Sequence, residues 1–403
     1  MRFPEFHGEW EKCKVSDLLD FYSTNSLSWD QLEYGTDNML NLHYGLIHVG
    51  LPTMVDLSKD ILPTIKKENE PKNFELCKEG DIAFADASED TNEVAKAIEF
   101  YTLEDKAVVC GLHTIHGRDK SNKTVVGYKG YAFSSTAFHH QIRRIAQGTK
   151  IYSISAKNFA ECYIGIPSKE EQTKIAKLLR LIDERIATQS KLIEDLKKLK
   201  SAIIENVFDD KHSERLQLDN VGSYIRGLTY SSNDVVEHGG TLVMRSNNIV
   251  NGSLLDYNNN VVFVNKQMSA EQQLQNGDIV ICMANGSSSL VGKSSFYDGN
   301  WHSPITVGAF CGIYRSKEPI VKWLFQTNQY RRYIWNSLQG GNGAIANLNG
   351  EDILNMSFSI PNAPIKDTCV KMLTSVDSAL ENNISLCALY TLQKQHLLRQ
   401  MFI

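Results

Sequence analysis

The 43 residues from Ile166 to Phe208, IPSKEEQTKIAKLLRLIDERIATQSKLIEDLKKLKSAIIENVF, return at a constant offset of 194. The second copy is Ile360 to Phe402, IPNAPIKDTCVKMLTSVDSALENNISLCALYTLQKQHLLRQMF. The two align without a gap, and Leu179/Leu373, Asp183/Asp377, Leu192/Leu386 and Lys200/Lys394 coincide. Each copy opens on a proline, and past the opening turns neither holds Pro or Gly. Nothing therefore stops a helix for about 39 residues, or roughly 58 Å. In the first copy Ser168 and Glu171 form the S-x-x-E of a capping box.

Positions in the first copy spaced alternately four and three apart are Ile175, Leu179, Ile182, Ile186, Gln189, Ile193, Leu196, Lys200, Ile203 and Val207; eight of the ten are apolar. The same positions in the second copy are Cys369, Leu373, Val376, Leu380, Asn383, Cys387, Tyr390, Lys394, Leu397 and Met401, with the polar breaks at the same two places. This is the seam of a coiled coil. Left in water, each large side chain on it would forgo about 1.5–3 kcal/mol of burial. Each stripe needs a partner, and the nearest is the other. A globular segment joins the end of the first helix to the start of the second, which favours antiparallel pairing, with the two globular segments at opposite ends of a rod. Gln189 and Asn383 either set register through a buried amide hydrogen bond or are polar residues simply tolerated there.

The two segments ahead of the helices are related more faintly. EGDIAFA and NGDIVICMA match at Gly80-Asp81-Ile82 and Gly277-Asp278-Ile279. Later YAFSSTAFHHQIRRI and KWLFQTNQYRRYI align Phe133 with Phe325 and Ile142 with Ile334, and glycine follows at Gly148 and at Gly340 to Gly343. Short β-branched runs split by Asn, Gly and Ser lie between, so each segment reads as mixed α/β with a strand-rich face. The loops differ between halves, which implies like placement and unlike specificity. The expected architecture is α+β. Residues 1–163 and 209–358 form two mixed α/β domains separated by two long helices, 164–208 and 359–403, paired as an antiparallel coiled coil with a pseudo-twofold internal repeat.

Net charge is −5, yet residues 68–105 hold 12 acidic against 3 basic residues, and residues 106–160 hold 9 basic residues against Asp119 alone. The basic stretch is a candidate phosphate-facing surface; a face balanced by the acidic stretch is the alternative. The eight cysteines contain no C-x-x-C. Cys110, His113 and His116 in CGLHTIH lack a fourth donor nearby, so reduced thiols and no metal site are expected. No apolar run approaches the roughly 18 residues of a membrane span, so no membrane partner and a cytoplasmic location are expected.

Along nearly its whole length the chain resembles the specificity subunit of type I DNA restriction–modification systems. The opening RFPEFHGEWEKCKVSDLL, the central IPSKEEQTKIAKLLRLIDERI with its second copy, and the EGDIAFADASED and GLHTI stretches carry the likeness. The second copy departs from the family at NAPIKDT, where an acidic-Gln capping sequence is usual. The resemblance implies a non-catalytic reader in which each target-recognition domain reads one half of a split duplex DNA sequence. The helices would set the gap and bind modification subunits. It implies no cofactor in this chain, S-adenosylmethionine in adenine-methylating partner subunits, and a motor–nuclease subunit as a further partner. Two readers related by pseudo-twofold symmetry suit a bipartite site.

Methyltransferase pocket and cofactor-loop motifs, a nuclease motif and a serine–histidine–acid set are not found in the sequence. NGSSSLVGKSS misses the P-loop spacing by one residue, which leaves an NTP-binding enzyme centred on Lys293 as a weaker alternative, beside a coiled-coil protein adaptor. Asn285, Ser287, Ser288, Ser289 and Lys293 make better sense as backbone contacts to DNA. Arg245, Asn247 and Asn248 have the chemistry to pair with guanine and adenine edges, and Arg331 and Arg332 that of phosphate clamps. In the first domain the candidates are Ser88, His113, Thr114, His116, Arg118, Lys120, Lys123, Arg143 and Arg144.

Overall fold

The computed structural model describes residues 1–208, 214–257, 259–339 and 346–402. The glycines at 340–343 lie outside the described residues. The described chain forms two compact units, the first comprising Met1–Lys191 with Asn383–Ile403 and the second Leu192–Asn382.

The first unit contains β1 (Glu11–Lys14), β2 (Leu19–Tyr22), β3 (Leu40–Leu42), β4 (Met54–Asp56), β5 (Ile82–Ala85), β6 (Ala97–Thr102), β7 (Val108–Cys110), β8 (Thr114–Asp119), α1 (Lys129–Phe133), α2 (Thr136–Ile145) and β9 (Tyr163–Ile166). The long helix α3 (Lys169–Val207) begins there. Five strands form a sheet in the order β2-β8-β5-β6-β4, antiparallel except for the β4–β6 edge. A second sheet is built on the parallel pair β3–β7. The hairpin-like closure of β1 on β9, Glu11 opposite Ile166, returns the chain to the start of α3. Phe84, Phe133, Phe138 and Phe159 form an edge-on aromatic core under the larger sheet.

The second unit contains β10 (Glu214–Gln217), β11 (Gly222–Arg226), β12 (Thr241–Met244), β13 (Ile279–Cys282), β14 (Ser294–Phe296), β15 (Ile305–Val307), β16 (Cys311–Ser316), α4 (Val321–Leu324), α5 (Asn328–Gln339), β17 (Ser357–Ile360) and the start of α6 (Ala363–Gln400). It repeats the plan of the first. Its main sheet runs β11-β16-β13-β14, a parallel pair β12–β15 anchors the other, and β10 closes on β17 with Glu214 opposite Ile360. Pairings correspond at an offset of 197: His116 faces Ala83 as Ile313 faces Val280. The faint sequence relation is thus a shared fold. A shared clamp also recurs, because Arg118 grips Asp81 at 2.8 and 2.7 Å and Arg315 grips Asp278 at the same two distances.

Burial follows the predicted seam. Ile175, Leu179, Ile182, Leu373, Leu380 and Leu397 are buried, and Ile186, Gln189, Ile193, Leu196, Ile203, Val376, Asn383 and Tyr390 are half-buried. Ile204, outside the seam as read, is buried more deeply than Ile203. In the first unit Gln189 donates to Asn383, and Lys394 meets Asp183 at 2.6 Å. In the second, Lys200 meets Asp377 at 2.7 Å and Ile204 shares a core with Leu373. Within the first unit numbering rises along one helix as it falls along the other, so the pairing is antiparallel. The lysine breaks in the two stripes are cross-helix ion pairs in equivalent positions. Despite NAPIKDT, α6 is helical from Ala363.

Candidate functional site

In each unit three chain turns meet where a parallel strand pair ends. In the first unit they follow β3 (His43 to Gly45), β5 (Asp86 to Ser88) and β7 (Gly111 to His113). His113 takes φ +55, a conformation costly for a residue with a side chain, and its Nδ1 lies 3.2 Å from Asp86 Oδ1. Its ring stands edge-on to Tyr44, which stacks in turn on His43 and through it on Trp29. Burial holds the His43 imidazole below its ordinary pKa, and His113 nearby adds to the effect, so the ring is neutral near pH 7. Half-exposed aromatic faces on a ridge suit stacking or groove contact.

The second unit assembles the same edge from different residues. The turns follow β12 (Arg245 to Asn247), β13 (Ala284 to Ser289) and β15 (Gly308 to Phe310). Asn285 Nδ2 donates to Ser246 Oγ at 3.3 Å, tying the first two together. A cavity of about 450 Å³ opens between the first and third, lined by Tyr230, Arg245, Ser246, Asn247, Gly308, Ala309, Phe310 and Cys311. Phe310 is 67% exposed, an unusual position for a benzyl group unless something covers it. Arg245 donates from Nη2 to Asn260 O at 2.9 Å, while its buried Nε has no partner.

The structure therefore brings Asn285 to the turn that holds Arg245 and Asn247, with Ser287 to Ser289 next along the chain, and places Ser88 two residues past Asp86, the partner of His113. Other candidates fall elsewhere. Thr114 and His116 belong to β8, which runs between β2 and β5, and both are buried; the surface role expected of them is corrected. Asn248 is fully buried because its side chain organises its own turn, accepting from Arg245 N and donating to Asp256 O and Asn259 O. Arg118 is taken up by Asp81 and Glu75, and the hydrogen bonds it donates to Asp81 raise its pKa. Lys120 pairs with Asp20 and Lys123 with Glu11. Arg118 and buried Lys129, which lies beside Glu99, are thus balanced by the acidic stretch as the alternative reading had it, while Lys120 and Lys123 meet acids from outside that stretch. Arg143 and Arg144 are exposed on α2, the former bonded to Asn92 and His140. Arg331 and Arg332 are exposed on α5, whose inner face sets Tyr330 and Ile334 on Gly292.

Lys293 is followed by strand β14, not by a helix, so the phosphate-cradling geometry of a P-loop is not formed there. Gly292 has a structural reason: φ is +83, and a Cβ would come within 2.8 Å of Ile334. Cys110 and His116 do converge, but with Cys77 in place of His113. Sequence reasoning missed Trp29, His43, Tyr44, Tyr230 and Phe310. The aromatic content of those turns was visible, but their convergence depends on parallel strand pairing that leaves no local pattern.

The family model described as Type I restriction modification DNA specificity domain matches residues 8–198. The chain is 35% identical over 155 residues to the Type I restriction enzyme EcoKI specificity subunit of Escherichia coli (strain K12), covering 36% of this chain and 31% of that protein. It is 34% identical over 153 residues to the StySPI specificity subunit of Salmonella potsdam, with the same coverage of 36% and 31%. It spans about a third of the length of these curated relatives. Among solved structures, the type I restriction–modification S subunit from M. genitalium superposes with a TM-score of 0.62 at 15% identity, covering 100% of this chain and 99% of that one. A chain from a study of type I R-M complex assembly and conformational transition gives 0.54 at 12% identity, covering 98% and 97%. At such identities the likeness is one of fold.

Proposed function

We propose that this chain, whose residues 8–198 match the family model for the type I restriction modification DNA specificity domain, is the non-catalytic DNA-reading component of a type I restriction–modification complex. Residues 1–163 and 209–358 each read one half of a bipartite duplex site, and 164–208 and 359–403 set the spacing and dock adenine methyltransferase subunits. Those subunits carry S-adenosylmethionine, and a motor–nuclease subunit is a further partner. With eight free cysteines, seven of them buried, the working compartment is a reducing cytosol. No described helix is long and apolar enough to cross a membrane.

The observation that carries this reading is the duplicated edge: one framework, two sets of turn residues. Tyr44-Gly45 occupies in one unit the place of Ser246-Asn247 in the other, and His113 that of Phe310. A fold that keeps its scaffold and changes its protruding turns has the economy of a reader of two different half-sites. In the second unit Arg245 and Asn247 address base edges, Asn285, Ser287, Ser288, Ser289 and Lys293 the backbone nearby, and Arg331 and Arg332 phosphates. In the first, His113 and Ser88 address the groove, with Arg143 and Arg144 on phosphates. Docking of partners is supported by apolar side chains left on the outer faces of the long helices, including Leu386, Leu389 and Leu392, which are 43–60% exposed.

Methylome sequencing of a host with and without this gene tests the reading. A split, adenine-methylated motif that disappears with the gene supports it, and an unchanged methylome in a host whose methyltransferase subunit is expressed overturns it.

A further inference from the structure

We propose that Cys77, Cys110 and His116 supply the three protein ligands of a zinc site inside the first unit, the fourth position being left to a water molecule. The inference is independent of the DNA-reading proposal. All three side chains are buried, at 5%, 2% and 0% exposure, and one donor atom from each lies within 4.8 Å of the other two. The sulfurs are 3.6 Å apart. Two thiolates on one zinc ion, with Zn–S bonds of about 2.3 Å and a near-tetrahedral angle, stand about 3.7 Å apart. Only the imidazole has to close up.

The histidine is set up as ligating histidines are. Its Nε2 lies 2.8 Å from Asp81 Oδ2, and since a carboxylate can only accept, Nε2 carries the proton. The other nitrogen, Nδ1, is buried without any hydrogen-bond partner, and in the neutral imidazole it presents the lone pair a metal needs. A carboxylate behind the imidazole, fixing tautomer and ring plane, is the usual outer support of a metal-bound histidine. Arg118 holds that carboxylate in turn. A buried polar nitrogen without a partner is destabilising unless something fills it.

The second unit shows that the fold does not require these residues. Cys77 N donates to Val108 O, and Leu274 N donates in the same way to Ile305 O. Cys110 ends the parallel pair at Leu42 as Val307 ends it at Met244. His116 faces Ala83 where Ile313 faces Val280. The equivalents of the three donors are therefore Leu274, Val307 and Ile313, all in the apolar core of that unit. Asp278 keeps its arginine there with no histidine beside it. One copy has the three sites filled by hydrocarbon, and the other has all three filled by soft or borderline ligands that meet at a point.

Charge selects the ion. Binding releases two thiol protons to solvent, and two thiolates with one divalent cation and a neutral imidazole bury no net charge. A monovalent soft ion would leave one negative charge in the core. The bound ion would tie the Cys77 segment to β7 and β8, the strands on either side of the Gly111-to-His113 turn.

The test uses the full chain, reduced, freed of metal with a chelator, and titrated anaerobically with cobalt(II) as a spectroscopic stand-in for zinc. Expected is a single equivalent taken up with a thiolate-to-cobalt charge-transfer band and tetrahedral visible bands, displaced by zinc. Cys77→Ala and Cys110→Ala should abolish the band, and Cys282→Ala and Cys311→Ala should leave it. The triple variant Cys77→Leu, Cys110→Val, His116→Ile copies the second unit's packing; it should fold, judged by circular dichroism, and take up no cobalt at this site. The proposal is overturned if the wild-type chain shows no thiolate–cobalt band, if the band survives Cys77→Ala, or if the reduced pair yields only a Cys77–Cys110 disulfide on exposure to air.

Discussion

Asn247, on the rim of the cavity in the second unit, and Arg331, on α5, are expected to separate two kinds of contribution to binding. Asn247 has a side-chain amide at a turn tip and the donor–acceptor pair that adenine's major-groove edge accepts. Asn247→Ala is expected to cost about 1–3 kcal/mol against the preferred half-site and little against others, read as a relaxed motif in binding selections. Arg331 is exposed on α5, where it donates to Asn328 and Gln326 close by in the chain. Arg331→Ala should weaken binding to all sequences alike and lower the slope of log affinity against log salt by about one, measured by titration at several salt concentrations. The residues that resist such treatment are those the fold already uses. Asn248 and Arg118 looked equally suitable in the sequence, yet both spend their hydrogen bonds inside the protein. Side-chain chemistry was legible there; which direction it faced was not, because that depends on strand register and turn geometry.

The long helices were the most legible elements, because periodicity is local and survives any change in what surrounds it. What periodicity could not show is why the stripes break at Lys200 and Lys394. Asp377 explains the first. Its carboxylate takes Lys200 at 2.7 Å, Lys322 at 2.8 Å and Trp323 Nε1 at 3.1 Å, so helix α6 is fastened both to α3 and to the globular part of its unit. Burial opposes its ionisation, but the two lysines outweigh burial and hold the carboxyl below its ordinary pKa. A lowered folded value means that the ionised carboxylate stabilises the fold at neutral pH and keeps doing so down to the ordinary carboxyl range near pH 4. The contribution is lost as pH falls further. Asp377→Asn strands a buried ammonium and is expected to cost about 3–5 kcal/mol at pH 7. The gap between variant and wild type should shrink below about pH 4, measured by urea unfolding at both pH values. On the apolar seam, Leu373→Ala should cost about 2–5 kcal/mol. Leu386→Ala, on the exposed face, should change stability by no more than about 0.5 kcal/mol while reducing co-purification of the methyltransferase subunit.

At the scale of the whole chain, the duplication implies that the two halves of the read sequence are chemically independent. The sequence showed two halves through Gly80-Asp81 and Gly277-Asp278, and the structure gives that pair a reason, since both aspartates anchor an arginine from the strand next door. It gave no sign of which turns converge at each reading edge, because the strands that bring them together are distant in sequence. With the edges located, a variant in one unit should alter one half-site and leave the other intact. His113→Ala removes the left-handed turn residue stacked on Tyr44 and bonded to Asp86, so it should loosen the motif read by residues 1–163. Phe310→Ala removes the exposed ring at the equivalent place and should loosen the other half. Methylome sequencing of hosts carrying each variant with its methyltransferase subunit reads both halves at once. Degeneracy confined to one side for His113→Ala and to the opposite side for Phe310→Ala is the expected outcome, and combined substitution should relax both. If either single change blurs both halves equally, the turns serve a shared structural step and base reading must lie elsewhere.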